Sequence, residues 1–181
     1  MKDIIIVRYG HRPARDSRMT THIALIARAL GASGMIITDI RDEKIKSTVK
    51  NVNENWGGNF FIEMGTKWKK LVHEIKKNDD LLIHLTMYGV KLKKSIIKKI
   101  RKIKKNVYIF VGSQKVPHEI YKWANFNIAI SNQPQSECGA LAIFLDRLFF
   151  GKNLYLSFEN AKLRVIPTLH GKKIEEINND Y

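Results

Sequence analysis

Four stretches of this sequence carry residue types that could do chemistry. The first, Arg8-Tyr9-Gly10-His11-Arg12-Pro13-Ala14-Arg15-Asp16-Ser17-Arg18-Met19-Thr20-Thr21-His22, crowds guanidinium and imidazole groups behind a short apolar run. A guanidinium fork suits phosphate oxygens, and it suits an oxygen that gains negative charge during a reaction equally well. The other three are Leu85–Gly89, Val111–Pro117 and Ile130–Glu137, each a cluster of small, polar or turn-forming residues after an apolar run. Gly89 and Gly112 would let backbone approach a ligand with no Cβ in the way. Pro117 and Pro134 would stiffen the neighbouring turns. Taken singly, each cluster is ordinary turn chemistry. Following successive strands of one parallel sheet, they could converge at its carboxyl edge, where open α/β sheets bind ligands.

Those strands are expected at Ile4–Arg8, Met35–Thr38, Phe60–Glu63, Leu81–Leu85, Val107–Val111 and Asn127–Ile130. All are brief, nearly continuous apolar runs, the pattern of strands covered on both faces. Helical periodicity fills the gaps at Thr20–Leu30, Asp42–Asn55, Lys67–Lys77, Leu92–Lys104 and Ser136–Phe149. The Thr pair suggests an N-cap for the first of these, and Gly31 a C-terminal stop. Alternation of strand and helix predicts the α/β class, a parallel sheet flanked by helices. No repeat or composition break divides the chain, so residues 1–181 read as one domain. An irregular appendage is expected at about 154–181, with a possible strand at Leu163–Ile166.

Several common sites are excluded by pattern. The first strand does not run into the G-x-G-x-x-G of a dinucleotide fold, and no P-loop or G-x-S-x-G elbow occurs. Histidines 11, 22, 73, 84, 118 and 170 do not pair with one another or with Cys138 at zinc-ligand spacing, so no metal is expected. A single cysteine fits a reducing compartment. No apolar run approaches the ~20 residues that span a bilayer, and the protein is expected to be soluble and cytoplasmic.

The formal charge of +15 points to a polyanionic partner. A solvating lysine coat and an anionic membrane surface are the alternatives that composition leaves open. Between Lys91 and Lys105 most residues are Lys or Arg, above an apolar stripe of Leu92, Ile96, Ile100 and Ile103. This helix could be a solvated outer face or a track for an RNA backbone. Phe144, Leu145, Leu148 and Phe149 offer more apolar surface than one sheet layer needs, which suggests a dimer interface alongside core packing.

The opening run Arg8–His22, with the later Arg28-Ala29-Leu30-Gly31-Ala32, resembles the start of the archaeal tRNA cytidine-56 2′-O-methyltransferases. Gly112–Val116 and Ile130–Glu137 resemble that family's S-adenosylmethionine loops, and the likeness extends along nearly the whole chain. The family belongs to the SPOUT class, so the resemblance implies an α/β-knot with a deep C-terminal trefoil, a homodimer, a tRNA substrate and S-adenosyl-L-methionine as cofactor. It places cofactor contacts on Leu85, on Gly112, Ser113, Gln114, Lys115 and Val116, and on Ile130, Ser131, Asn132, Gln133, Pro134, Gln135, Ser136 and Glu137.

A sulfonium methyl needs no metal to be electrophilic. A ribose 2′-hydroxyl needs a base, or a cation that stabilises its developing alkoxide. In this class a first-motif arginine is implicated, often from the partner subunit, and the candidates here are Arg12, Arg15, Arg18 and Arg28. Arg18, just before the expected Thr20–Leu30 helix, is the chosen catalytic residue, with His22 one turn later as alternative base. Arg8, His11, Arg12 and Arg15 are expected to grip RNA. One departure is that Ser136-Glu137-Cys138-Gly139 lacks the Asn that related ribose methyltransferases carry there, so that helper role is not carried over. Two rivals stay open: an RNA-binding module with a degenerate pocket, and a methyltransferase acting on a base or another RNA.

Overall fold

The computed structural model describes residues 3–177. Six parallel strands form one sheet in the order β3-β2-β1-β5-β4-β6, where β1 is Ile4–Tyr9, β2 Gly34–Ile37, β3 Phe61–Met64, β4 Leu81–Lys91, β5 Val107–Gly112 and β6 Phe126–Ala129. The central strands are buried on both faces, and Ile6, Val7, Ile37, Leu82, Ile83, Ile109 and Phe110 expose nothing. This is why they read as unbroken apolar runs rather than alternating ones.

On one face of the sheet lie α1 (Pro13–Ala29), α2 (Glu43–Trp56), α4 (Lys94–Lys102) and α6 (Glu137–Phe149), packed over Ile4, Ile6, Ile83 and Ile109. On the other lie α3 (Trp68–Lys77) and α5 (His118–Trp123), over Ile5, Val7, Leu82 and Phe110. Beyond α6, a 3-10 turn leads to an antiparallel pair, β7 (Leu163–Ile166) and β8 (Lys173–Glu176). No helix among the described residues is long and apolar enough to cross a membrane.

The chain's path matters for the site. Strand β5 inserts between β1 and β4, β6 is added beyond β4, and α6 then returns across the sheet to pack on α1. The carboxyl ends of β4, β5 and β6 are thereby neighbours.

Several expectations need correction. Helix α1 starts at Pro13, not at Thr20. Proline suits the first helical position because its missing N–H has no partner there anyway. Asp16 reaches back to accept the Arg12 backbone N–H at 3.1 Å, closing the first turn. Strand β4 runs to Lys91 because a bulge hides its second half: Leu85 and Val90 both pair with Ile128, and residues 86–89 loop out between them. Helix α4 is shorter than its charge run, with Ile97 and Ile100 as its buried residues. Short α5 and β8 carried no readable periodicity. Of the four residues read as an apolar surplus, Phe144, Leu145 and Leu148 are wholly buried in the core and Phe149 is half-buried.

Candidate active site

The three turn clusters meet. Leu85, Thr86 and Met87 from the β4 bulge, Val111 and Gly112 ending β5, and Ile130, Ser131, Pro134, Gln135 and Glu137 after β6 line one cavity of about 240 Å³. Ile128 and Ala140 complete its walls. A second cavity of about 670 Å³ shares Leu85, Thr86, Met87 and Gly112 and adds His84, Tyr88, Gln114, Lys115, Val116, His118 and Tyr121. The bulge is the partition between them.

Tight backbone approach builds this edge. A Cβ on Gly89 would stand 2.5 Å from the Asn127 carbonyl carbon and oxygen, and one on Gly112 would stand 2.4 Å from Val116 Cγ2. Asn132 Nδ2 donates to the carbonyls of Met87 at 2.7 Å and Gly89 at 3.0 Å, tying the third cluster to the first. Ser113 donates from its N and from its Oγ to the Tyr9 carbonyl, tying the second to the end of β1. Gly10, at φ +73°, lies under the Gln114 side chain, where a Cβ would be 2.5 Å from Gln114 Cγ. Ser136 caps α6 by accepting from the Cys138 N–H at 3.2 Å. Ser113, Asn132 and Ser136 thus brace the cavities and line neither, and exposed Gln133 lines neither as well.

The basic opening run divides in two. Arg8 and His11, expected to grip RNA, are buried, at 0% and 4% exposure. They cannot lie against a phosphate backbone in this conformation, because they point into the packing between sheet and helices. Arg8 Nε donates to Thr20 Oγ1 at 3.3 Å, the Thr20 hydroxyl donates to His11 Nδ1 at 2.9 Å, and His11 Nε2 donates to Asp42 Oδ2 at 3.0 Å. Arg8 Nη1 sits 4.0 Å from Glu137 Oε1, but among the described residues neither Nη1 nor Nη2 has a hydrogen-bond partner. Burial pushes the Arg8 pKa below its ordinary value, and Glu137 works against that fall.

Arg12 forks onto Asp16, Nε to Oδ2 at 2.8 Å and Nη2 to Oδ1 at 3.1 Å, and touches the Ser113 carbonyl at 3.4 Å. The same contact holds the Asp16 carboxyl below its usual range. Arg28 leaves the list of candidates for hydroxyl activation. It is buried beneath the C-terminal end of α2, where it bonds Asn53 and the carbonyls of Trp56 and Gly57. Arg15, Arg18 and His22 are exposed along α1 and line neither cavity of their own chain.

Residue spacing gives no signal for His84 beyond the lack of a metal-ligand partner. His84 lines the second cavity and bonds Asn127 Oδ1 through Nδ1 at 2.9 Å. Asn127 Nδ2 is committed to the Tyr121 carbonyl at 2.8 Å, so its oxygen accepts and His84 Nδ1 donates. Burial lowers the His84 pKa below its ordinary 6.5, against a smaller raising effect of Asn127. Below that pH the unfolded chain therefore takes up a proton that the folded one resists. Stability from this group is full above 6.5 and is lost as pH falls toward the lowered folded value. Melting temperature should drop between about pH 7 and about pH 5.5, and His84→Gln should flatten the drop. An unchanged slope in the variant would reject this source.

A model of the family described as tRNA ribose 2′-O-methyltransferase, aTrm56, matches residues 56–175. A tRNA (cytidine(56)-2′-O)-methyltransferase of Staphylothermus marinus is 49% identical over 174 residues, covering 96% of this chain and 93% of that protein. Among solved structures, a TrmH/SpoU tRNA modifying enzyme of A. aeolicus superposes with TM-score 0.59 at 16% identity, over 88% of this chain and 81% of its own. The SpoU methyltransferase AviRb from Streptomyces viridochromogenes, solved with AdoMet, superposes with TM-score 0.56 at 11% identity over 82% of this chain, which spans 57% of AviRb. At such identities these two likenesses speak for the fold alone. The match at 49% identity over 96% of the chain speaks for more: the chain belongs to the tRNA ribose 2′-O-methyltransferase family.

Proposed function

We propose that this protein transfers the methyl group of S-adenosyl-L-methionine to the 2′-hydroxyl of cytidine 56 in the T-loop of tRNA, the activity named for its relative. The observation that carries the reading is the convergence of the three turn clusters on one cavity at the sheet's carboxyl edge. The residues present suit the cofactor. Gly112 sets backbone rather than a side chain in the wall, Gly89 lets the β4 bulge close against β6, apolar walls suit an adenosyl group, and Glu137 offers an anion to a cationic ligand.

When bound, the cofactor supplies an electrophilic methyl, so no metal is called for. Leu85, Gly112, Ile130, Ser131, Pro134, Gln135 and Glu137 would hold it by backbone and wall contacts, with Gln114, Lys115 and Val116 at the second cavity and Asn132 and Ser136 bracing the wall. The RNA is gripped by the exposed part of the opening run, Arg15 first, with Arg12 beside the second cluster. Arg18 stabilises the developing alkoxide, with His22 one turn away as the alternative proton acceptor. Because both are exposed and line neither cavity of their own chain, they act on a partner subunit's site in a homodimer. Exposed Met19 on α1 and Ile143 on α6 supply apolar surface for that contact. The knotted reading of the fold is supported by the path of β6 beyond β4 and the return of α6 to α1.

The test is a methylation assay on an unmodified tRNA transcript. The expected product is 2′-O-methylcytidine at position 56, absent when that nucleotide is 2′-deoxycytidine. Incorporation into a base, or none at all with the cofactor bound, would overturn the assignment.

A further inference from the structure

Glu137 is the one charged side chain among the residues lining the smaller cavity. Directly behind it stands a second charge, the Arg8 guanidinium, with Nη1 at 4.0 Å from Glu137 Oε1. That guanidinium is wholly buried, and neither of its terminal nitrogens has a hydrogen-bond partner among the described residues. Its remaining nitrogen is fastened to Thr20, which His11 and Asp42 fasten in turn. A cation so confined attracts the nearest carboxylate, and although the Glu137 side chain is 34% exposed, its Oε1 faces the guanidinium. The result is an oriented pair whose negative end forms part of the cavity wall.

Every other lining residue is neutral, among them Leu85, Val111, Ile128 and Ile130. A lone carboxylate in such a wall favours a cationic occupant over a neutral one of the same shape. The reaction produces such a contrast. The methyl–sulfur bond breaks, the methyl–oxygen bond forms, the hydroxyl passes its proton to His22 or to water, and sulfur keeps the bonding electron pair. A sulfonium cation goes in and a neutral thioether comes out.

Resting on the methyl-donor reading above, we propose that Glu137, positioned by Arg8, makes the cavity discriminate between the charged donor and the neutral thioether product, and so favours product release. Isothermal titration of the full chain tests this with three ligands of similar shape. They are S-adenosylmethionine, S-adenosylhomocysteine, and sinefungin, which carries an amine-bearing carbon in place of the sulfonium. The wild-type protein should bind both cations about tenfold more tightly than the thioether. Glu137→Gln keeps the shape and removes the charge. It should bring the three affinities within about twofold of one another, mainly by weakening the cations, and Glu137→Asp should restore most of the preference. A merely structural role would weaken all three alike. Equal affinities in the wild type, or a preference that survives in Glu137→Gln, would overturn the proposal while leaving the methyl-donor reading in place. A wild-type protein that binds none of the three would sink that reading and this one with it.

Discussion

Replacing Gly89 with alanine should abolish measurable methyl-donor binding and destabilise the fold by about 3 kcal/mol. The β4 bulge returns to the sheet at this residue, where Val90 resumes pairing with Ile128. A Cβ here would lie 2.5 Å from the Asn127 carbonyl and 2.6 Å from the Ile128 nitrogen. Both obstacles are backbone of a neighbouring strand, so no rotamer change relieves the clash. Strand β6 must move away, or the bulge must lift, and either shift carries Leu85, Thr86 and Met87 out of the cavity wall. Gly112→Ala is the informative contrast. Its Cβ meets Val116 Cγ2 at 2.4 Å, a methyl that can turn aside, and the Gln114 carbonyl only at 3.1 Å. That variant should lose about 1 kcal/mol and keep weakened binding. Urea unfolding and titration calorimetry read both effects. An alanine at 89 with native affinity would show that backbone approach does not shape the cavity.

The second large effect is expected at Arg18. Arg18→Ala should lower kcat for methyl transfer by about 10²- to 10⁴-fold while leaving cofactor affinity and melting temperature where they were. Stability is spared because the side chain is exposed, and substitutions at such positions change stability little. Cofactor affinity is spared because the residue lines neither cavity of its own chain. Action across a dimer makes a sharper forecast. Arg18→Ala chains mixed with Gly89→Ala chains should recover activity, since a hybrid dimer holds one cavity and one guanidinium that are both intact. No recovery in the mixture would place Arg18 in its own subunit's site, and full activity in Arg18→Ala alone would remove it from the chemistry.

Residue pattern revealed much of the architecture because parallel strands buried on both faces leave short apolar runs, which their length and flanking turn residues separate from buried helix. The runs around Ile6, Leu82 and Ile109 stood out for that reason. The turn clusters after β4, β5 and β6 were legible too, since glycine and proline mark places where ordinary backbone cannot go. Local chemistry was misread where a long-range partner decides it. Arg8 and Arg28 look like surface cations in one dimension, yet each is buried against groups far along the chain, Glu137 in one case and the end of α2 in the other. His84 shows the converse: an inconspicuous strand histidine that tertiary packing sets in a cavity wall.

Types and order of residues alone thus determined the fold class, the polyanion-seeking charge and the segments that could build a pocket, since these follow from periodicity, composition and turn preference. Only the folded chain decided that those segments share one cleft, that the β4 bulge partitions it, and which arginines of the opening run stay on the surface. Strand order and helix return bring residues a hundred positions apart within hydrogen-bonding distance, as Arg12 meets the Ser113 carbonyl at 3.4 Å. Burial, not residue type, then settles whether a charge serves the interior or meets a ligand.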